Sequence, residues 1–205
     1  MKNNRETRNF GRVEVTTRNE AGDPVYEVKG YASTFEPYVL FEYDGVQYKE
    51  QIDPHAFDKT DMSDVVFRVD HEGPVYARSS AGTLKVGVDD HGLYDWADLS
   101  KTEKARGLFE DIAAGNYPKQ SFAFTVDADS YDKTTHTRTI LKIGKLFDVS
   151  PVSFPANPGT ELDIATRDYF DGVIEMEKAE RLESEKREKM KKALELKIKI
   201  MESEK

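Results

Sequence analysis

The chain has 205 residues, 38% of them hydrophobic and 34% charged, with a formal net charge of −9; it can build one core of ordinary domain size, and its acidic balance argues against general nucleic-acid binding, which needs a basic face. The charged share is above the usual ~25%, so one segment must be almost fully solvated. With no Cys, disulfides, thiolate metal sites and cysteine nucleophiles are excluded, which suits a reducing cytoplasm, and no apolar run reaches the roughly 20 residues of a membrane-spanning helix.

Residues 1–11 are polar and read as a flexible N-terminus, without the apolar stretch of a secretory signal. From Arg12 the pattern alternates. Val13 and Val15, then Val25, Tyr26 and Val28 after a turn at residues 19–24, predict a hairpin. The run Gly30-Tyr31-Ala32-Ser33-Thr34-Phe35 continues the second strand, its small residues allowing close backbone packing. Residues 39–51 carry aromatics around an Asp44-Gly45 turn and predict a second hairpin. Asp53-Pro54-His55-Ala56-Phe57 reads as the opening of a short helix, with Asp53 as cap. Residues 65–69 form a short apolar strand that ends at Asp70-His71-Glu72-Gly73. Residues 74–80 lead to a further hairpin, 84–88 and 93–98, turning at Asp89-Asp90-His91-Gly92.

The clearest helix runs from Ser100 to Gly115. Ser100 and Glu103 have capping-box spacing, Ala105, Leu108, Phe109, Ile112 and Ala113 form the apolar stripe, and Gly115 is the left-handed terminator. Strands follow at 121–127 and 137–143, separated by a polar loop. Another covers 146–150, stopping at Pro151, with Pro155 and Pro158 in a turn-rich segment. After Asp171 the composition shifts to Glu, Lys, Met, Leu and Ile, and residues 173–205 predict one long charged helix. Ala179, Leu182, Ala193, Leu196 and Ile200 share a seam that Lys186 and Lys189 interrupt. The domains expected are therefore a protein core over 12–170 and a helical tail over 171–205.

Ser121 stands at the head of the apolar run Phe122-Ala123-Phe124, just after the helix. A serine hydroxyl becomes a nucleophile when an adjacent base takes its proton and backbone N–H groups hold the oxyanion. The commoner role for a serine beside a strand is structural. Of the four histidines, His91 and His136 lie in polar turns, and His55 lies at the Pro-His-Ala-Phe segment. His71 follows an apolar strand directly, where a neutral imidazole acts as general base if a third group orients it. Asp148, inside the apolar run 146–149, is the first candidate for that group, because such a carboxylate needs a partner. Asp70 and Glu72 are alternatives. No metal-ligand spacing and no phosphate-binding glycine loop is present. No G-x-S-x-G elbow surrounds Ser121, which disfavours an esterase-like hydrolase.

Three segments in this order resemble the prohead (procapsid maturation) serine protease family of tailed bacteriophages. Residues 30–35 with Glu50-Gln51-Ile52-Asp53-Pro54-His55-Ala56-Phe57 are similar to its "GYAS-F" strand and "E-I-PGAF" turn. Val69-Asp70-His71-Glu72 looks like its "NHD" motif, followed by Leu84, Asp89, Asp90, Gly92 and Leu93 in the manner of "L--DD-GL". Ser121-Phe122-Ala123-Phe124 and then residues 148–156 are similar to its nucleophile strand and "E-S-V--PA" ending. The departures are Asp70 for Asn, His55 for Gly and Glu72 for Asp, and an extra acid beside His71 would raise its pKa.

The resemblance, spanning about residues 12–160, implies an α+β fold: a mainly antiparallel, β-barrel-like domain akin to the herpesvirus assembly proteases, followed by the long helix. It implies a serine endopeptidase with Ser121 as nucleophile, His71 as base and Asp148 as the acid, with oxyanion donors expected from the 115–121 loop or a nearby strand. It also implies the capsid precursor's scaffold region and other copies of the chain as substrates. Action would be inside the immature capsid in the host cytoplasm, with no cofactor, metal, nucleic acid or membrane partner. The alternative is a catalytically inactive capsid-assembly or scaffolding module with a coiled tail.

Overall fold

A computed structural model of the chain describes residues 5–153 and 164–203. The chain divides after residue 163 into two compact units. The first contains two sheets and one helix, an α+β arrangement in which neither sheet closes into a barrel.

The larger sheet has the order β1 (Arg5–Arg12), β10 (Lys119–Asp132), β11 (Thr137–Val152), β5 (Val46–Ile52) and β4 (Tyr38–Tyr43). To it belong β6 (Val66–Val69), which pairs with β11, and β7 (Glu72–Arg78), which pairs with β6. The smaller sheet has the order β2 (Glu14–Arg18), β3 (Pro24–Thr34), β9 (Gly92–Asp98) and β8 (Leu84–Val88). The organising strand is β11. Its 16 residues pair antiparallel along β10, parallel with β5 through residues 137–140, and parallel with β6 at Asp148 and Val149. Repeated register shifts between Ala123 and Asp129 bend the β10–β11 ribbon. Phe67, Phe122, Phe124, Leu93, Ile140, Ile143 and Leu146 fill the core between the sheets.

Helix α1 (Glu103–Ala113) buries Ala105, Leu108, Phe109 and Ile112, with Phe109 edge-on to Tyr26 of β3. Gly115 ends it in the left-handed conformation, φ 88°. Its cap is Thr102, whose Oγ1 accepts from Ala105 N–H at 3.1 Å, and not Ser100; Ala113 is exposed.

Four other expectations are corrected. Residues 5–12 are not a loose terminus but strand β1. Residues 54–59 are a succession of turns, not a helix, because the Ala56 carbonyl accepts from Ile143 N–H of β11 (2.9 Å) instead of continuing a helical ladder. Asp53 still caps its turn, accepting from His55 N–H at 2.8 Å. Residues 72–78 form β7, which the sequence reading passes over. The strands at 137–143 and 146–150 are one strand, running through Pro151 to Val152. The Pro155–Pro158 turns lie outside the described residues, as do residues 1–4 of the expected flexible terminus.

Strand β1 is held by charge. Arg8, buried, donates to Glu50 at 2.5 and 2.8 Å and to Glu6 at 2.6 Å. Arg138 donates to Glu6 at 2.8 Å, to Glu50 at 3.2 Å and to Asp129 at 2.6 Å. Tyr38 donates to Glu50. The end of the strand crosses β3 at Gly30, where an added Cβ would lie 3.2 Å from the Arg12 carbonyl oxygen; the small residue there does admit close backbone packing.

The second unit contains α2 (Ile164–Ser203), 40 residues long. It begins before the composition change at Asp171 and includes Tyr169 and Phe170, whose rings meet edge to face.

Candidate active site

His71 is placed by a turn. The pairing of Val69 with Glu72 leaves Asp70 and His71 as the two residues between β6 and β7. Both are left-handed, with φ 46° and 59°, the geometry that favours Asn-Gly in tight hairpins. For residues with a Cβ it costs about 1–2 kcal/mol each. The surroundings hold it there. Asp70 N–H donates to the Pro151 carbonyl at 3.2 Å. The Asp70 carboxylate accepts from Ser153 N–H and Ser153 Oγ–H, both at 2.9 Å. The turn is thereby clamped to the end of β11.

Ser121 and Asp148 come from adjacent strands. Ser121 pairs with Ser150 and Ala123 with Asp148, so the serine and the aspartate share one face of the β10–β11 ribbon. His71 lies over that face. Its Nε2 is 2.7 Å from Ser121 Oγ and its Nδ1 is 2.6 Å from Asp148 Oδ1. Asp148 Oδ1 also accepts from Ser150 Oγ–H at 2.9 Å, and Arg5 of β1 ion-pairs with Oδ2. Ser121 and Asp148 are fully buried, and the His71 side chain is 18% exposed. Burial, and next the Arg5 guanidinium, push the His71 pKa down to about 4, with Asp70 opposing. The extra acid Asp70 does act to raise it, as expected, but desolvation of the imidazolium outweighs that effect. His71 is therefore a neutral imidazole at neutral pH, able to accept a proton.

The structure thus brings His71, Ser121 and Asp148 together. The alternative acids are elsewhere, Asp70 on Ser153 and Glu72 in solvent. His55 is exposed beside Asp58 (3.4 Å), His91 is exposed against the Tyr31 ring, and His136 meets Tyr131 Oη at 3.2 Å. Among the described residues no cluster of three or more His, Asp or Glu side chains has metal-binding geometry. A cleft of about 500 Å³ over β3 and β9, lined by Tyr31, Tyr94 and Trp96, shares no residue with the three.

Sequence reasoning missed Arg5, Ser150 and the backbone of β1. Nothing near Arg5 in the chain signals a partner 143 residues away. Within the 115–121 loop, the Gly115 and Asn116 N–H groups donate to the Ile112 and Asp111 carbonyls. A buried carboxylate, a neutral imidazole and a serine hydroxyl in line are the parts for acyl transfer through a serine ester.

Compared with known proteins, residues 13–172 match the family model described as caudovirus prohead serine protease. Comparison with curated proteins and with solved structures gives no match.

Proposed function

The chain belongs to the caudovirus prohead serine protease family, and from that premise we propose that Ser121, His71 and Asp148 are the triad with which it cleaves the capsid precursor and itself. The observation that carries this is the relay of contacts from Ser121 Oγ to His71 Nε2 at 2.7 Å and from His71 Nδ1 to Asp148 at 2.6 Å.

Ser121 Oγ attacks the peptide carbonyl as His71 Nε2 takes the hydroxyl proton. Asp148 accepts from Nδ1–H, fixing the tautomer and stabilising the imidazolium. His71 then gives that proton to the amine as the C–N bond breaks, leaving an ester on Ser121. Water, deprotonated by His71, releases the acid product. Ser150 supports the Asp148 carboxylate that faces the ring, donating to its Oδ1 at 2.9 Å. The substrates we assign are the scaffold portion of the capsid precursor, inside the immature shell, and other copies of the chain.

A second reading, an inactive assembly module, draws on one observation: Ser121 is fully buried. One experiment separates them. Incubation of the purified chain, alone and with capsid precursor, should give truncated products by mass spectrometry, and Ser121→Ala should lower the rate by about 10⁴-fold or more. Cleavage by Ser121→Ala at the parent rate would refute the triad. No cleavage by the parent, even after the residues covering Ser121 are displaced, would favour the assembly module.

A further inference from the structure

The strand carrying the nucleophile has its other edge occupied by the chain's own N-terminal segment. β1 lies antiparallel on β10 from Arg5, opposite Thr125, to Arg12, opposite Lys119, and Asn9 is the residue facing Ser121. Ser121 Oγ–H donates to the Arg8 carbonyl oxygen at 2.8 Å. A hydroxyl has a single proton, so the proton directed at Arg8 is the one His71 Nε2 has to receive. The same strand sends Arg5 onto Asp148 and over the Phe147 ring, 4.9 Å from its centroid. One strand therefore touches both the nucleophile and the acid, and closes the serine off from solvent.

The geometry is that of an occupied site rather than a reacting one. A scissile carbonyl presents its carbon to the nucleophile and its oxygen to N–H donors. Here the Arg8 oxygen itself takes the hydrogen bond from Ser121. An extended segment lying antiparallel along a strand edge is also how peptides are recognised by strand addition. Two further observations concern β1 itself. It lies outside the residues that match the family model, which begin at residue 13. Its inward side chains Glu6 and Arg8 are fastened to Glu50 and Arg138 by charge. Charged groups regain hydration when such a seam opens, so opening costs less than parting an apolar seam of the same size.

We propose that β1 occupies the edge of β10 on which the substrate peptide binds, so that a molecule is latent while β1 is seated and cleavage by the purified chain comes from the fraction of molecules from which β1 has left. This rests on Ser121 being the nucleophile. The site opened by release is the β10 edge from Lys119 to Thr125, and it takes an extended peptide segment antiparallel to β10.

The test uses diisopropyl fluorophosphate, which labels an activated and accessible serine without need of a known substrate. The chain has no cysteine, so Thr7→Cys with Ala123→Cys, at partnered positions of β1 and β10, introduces the only thiol pair. Oxidation of this variant locks β1 in place and dithiothreitol frees it, within one polypeptide of one fold. Labelling should be at least tenfold slower oxidised than reduced. Thr7→Pro, which breaks the β1 ladder without altering Ser121, His71 or Asp148, should label at least tenfold faster than the parent. Equal rates in the oxidised and reduced forms overturn the proposal. So does an absence of label in both the reduced pair and Thr7→Pro, since release would then uncover no reactive serine. Label that persists in Ser121→Ala overturns the triad assignment instead.

Discussion

At the scale of single residues, the site turns on where His71 sits in pH. Burial disfavours its charged form and Arg5 adds to this, giving a pKa of about 4 against the usual 6.5. The folded chain therefore binds fewer protons at His71 than the unfolded chain between about pH 4 and 6.5, so this group makes stability rise with pH through that window and fall on acidification. The His71 ring resonances of the intact chain should titrate near pH 4 by NMR. In Thr7→Pro, where Arg5 is released and the ring is more hydrated, the midpoint should move up toward 6.5. A midpoint that stays near 6.5 in the intact chain would mean that β1 does not cover the imidazole. The three residues of the proposed triad could be singled out in the sequence, weakly by their places (a histidine ending an apolar strand, a hydroxyl beginning one, a carboxylate inside one) and more sharply by the family resemblance. Arg5 and the Arg8 carbonyl could not, since a guanidinium in a polar stretch and a backbone oxygen carry no local signature.

At the scale of elements, the strand hidden from the sequence is β1, and the reason is the chemistry of its buried face. Alternation is read from apolar residues, but β1 turns Glu6 and Arg8 inward, against Glu50 of β5 and Arg138 of β11. RETRNFGR therefore reads as solvated terminus although it is a paired strand. The β2–β3, β4–β5 and β8–β9 hairpins were legible because their turns, such as Asp44-Gly45, and apolar faces are local. β7 was hidden by Gly73-Pro74 and by having only Ala77 buried. The charged seam has a measurable consequence. Arg138→Met leaves Glu6 and Glu50 buried with one cation fewer, and removing one partner from such a network costs about 3–5 kcal/mol. For a unit of this size the melting temperature should fall by about 10 °C, with little dependence on salt because the pairs are shielded from it. A loss of less than about 1 kcal/mol would show that the seam is solvated.

At the scale of the whole molecule, charged residues are concentrated in α2, where ten acidic and ten basic side chains cancel, so the net charge of −9 lies outside it. Forty residues at about 1.5 Å each make a helix of about 60 Å. Glu183–Arg187 and Glu188–Lys192 pairs at the favourable i, i+4 spacing support it on its exposed surface. Yet Met190, Leu194, Leu196, Ile200 and Met201 stand exposed toward its end, more apolar side chains than a purely solvating helix needs. The seam read from the sequence places Leu196 and Ile200 together, which suits docking on another helix. We assign that role to the scaffold region of the capsid precursor, through which the protease would enter the shell before closure. Deletion of 174–205 should leave the melting temperature of the first unit unchanged and precursor cleavage in solution within twofold of the parent. Co-expressed with capsid protein, the shortened chain should be missing from purified proheads. Packaging in normal copy number would show that α2 is not the carrier. Loss of cleavage in solution would show instead that the helix supports the site; retained cleavage is the outcome we expect, since the three residues of the proposed triad, with Ser150 and Asp70, all belong to the unit that precedes the helix.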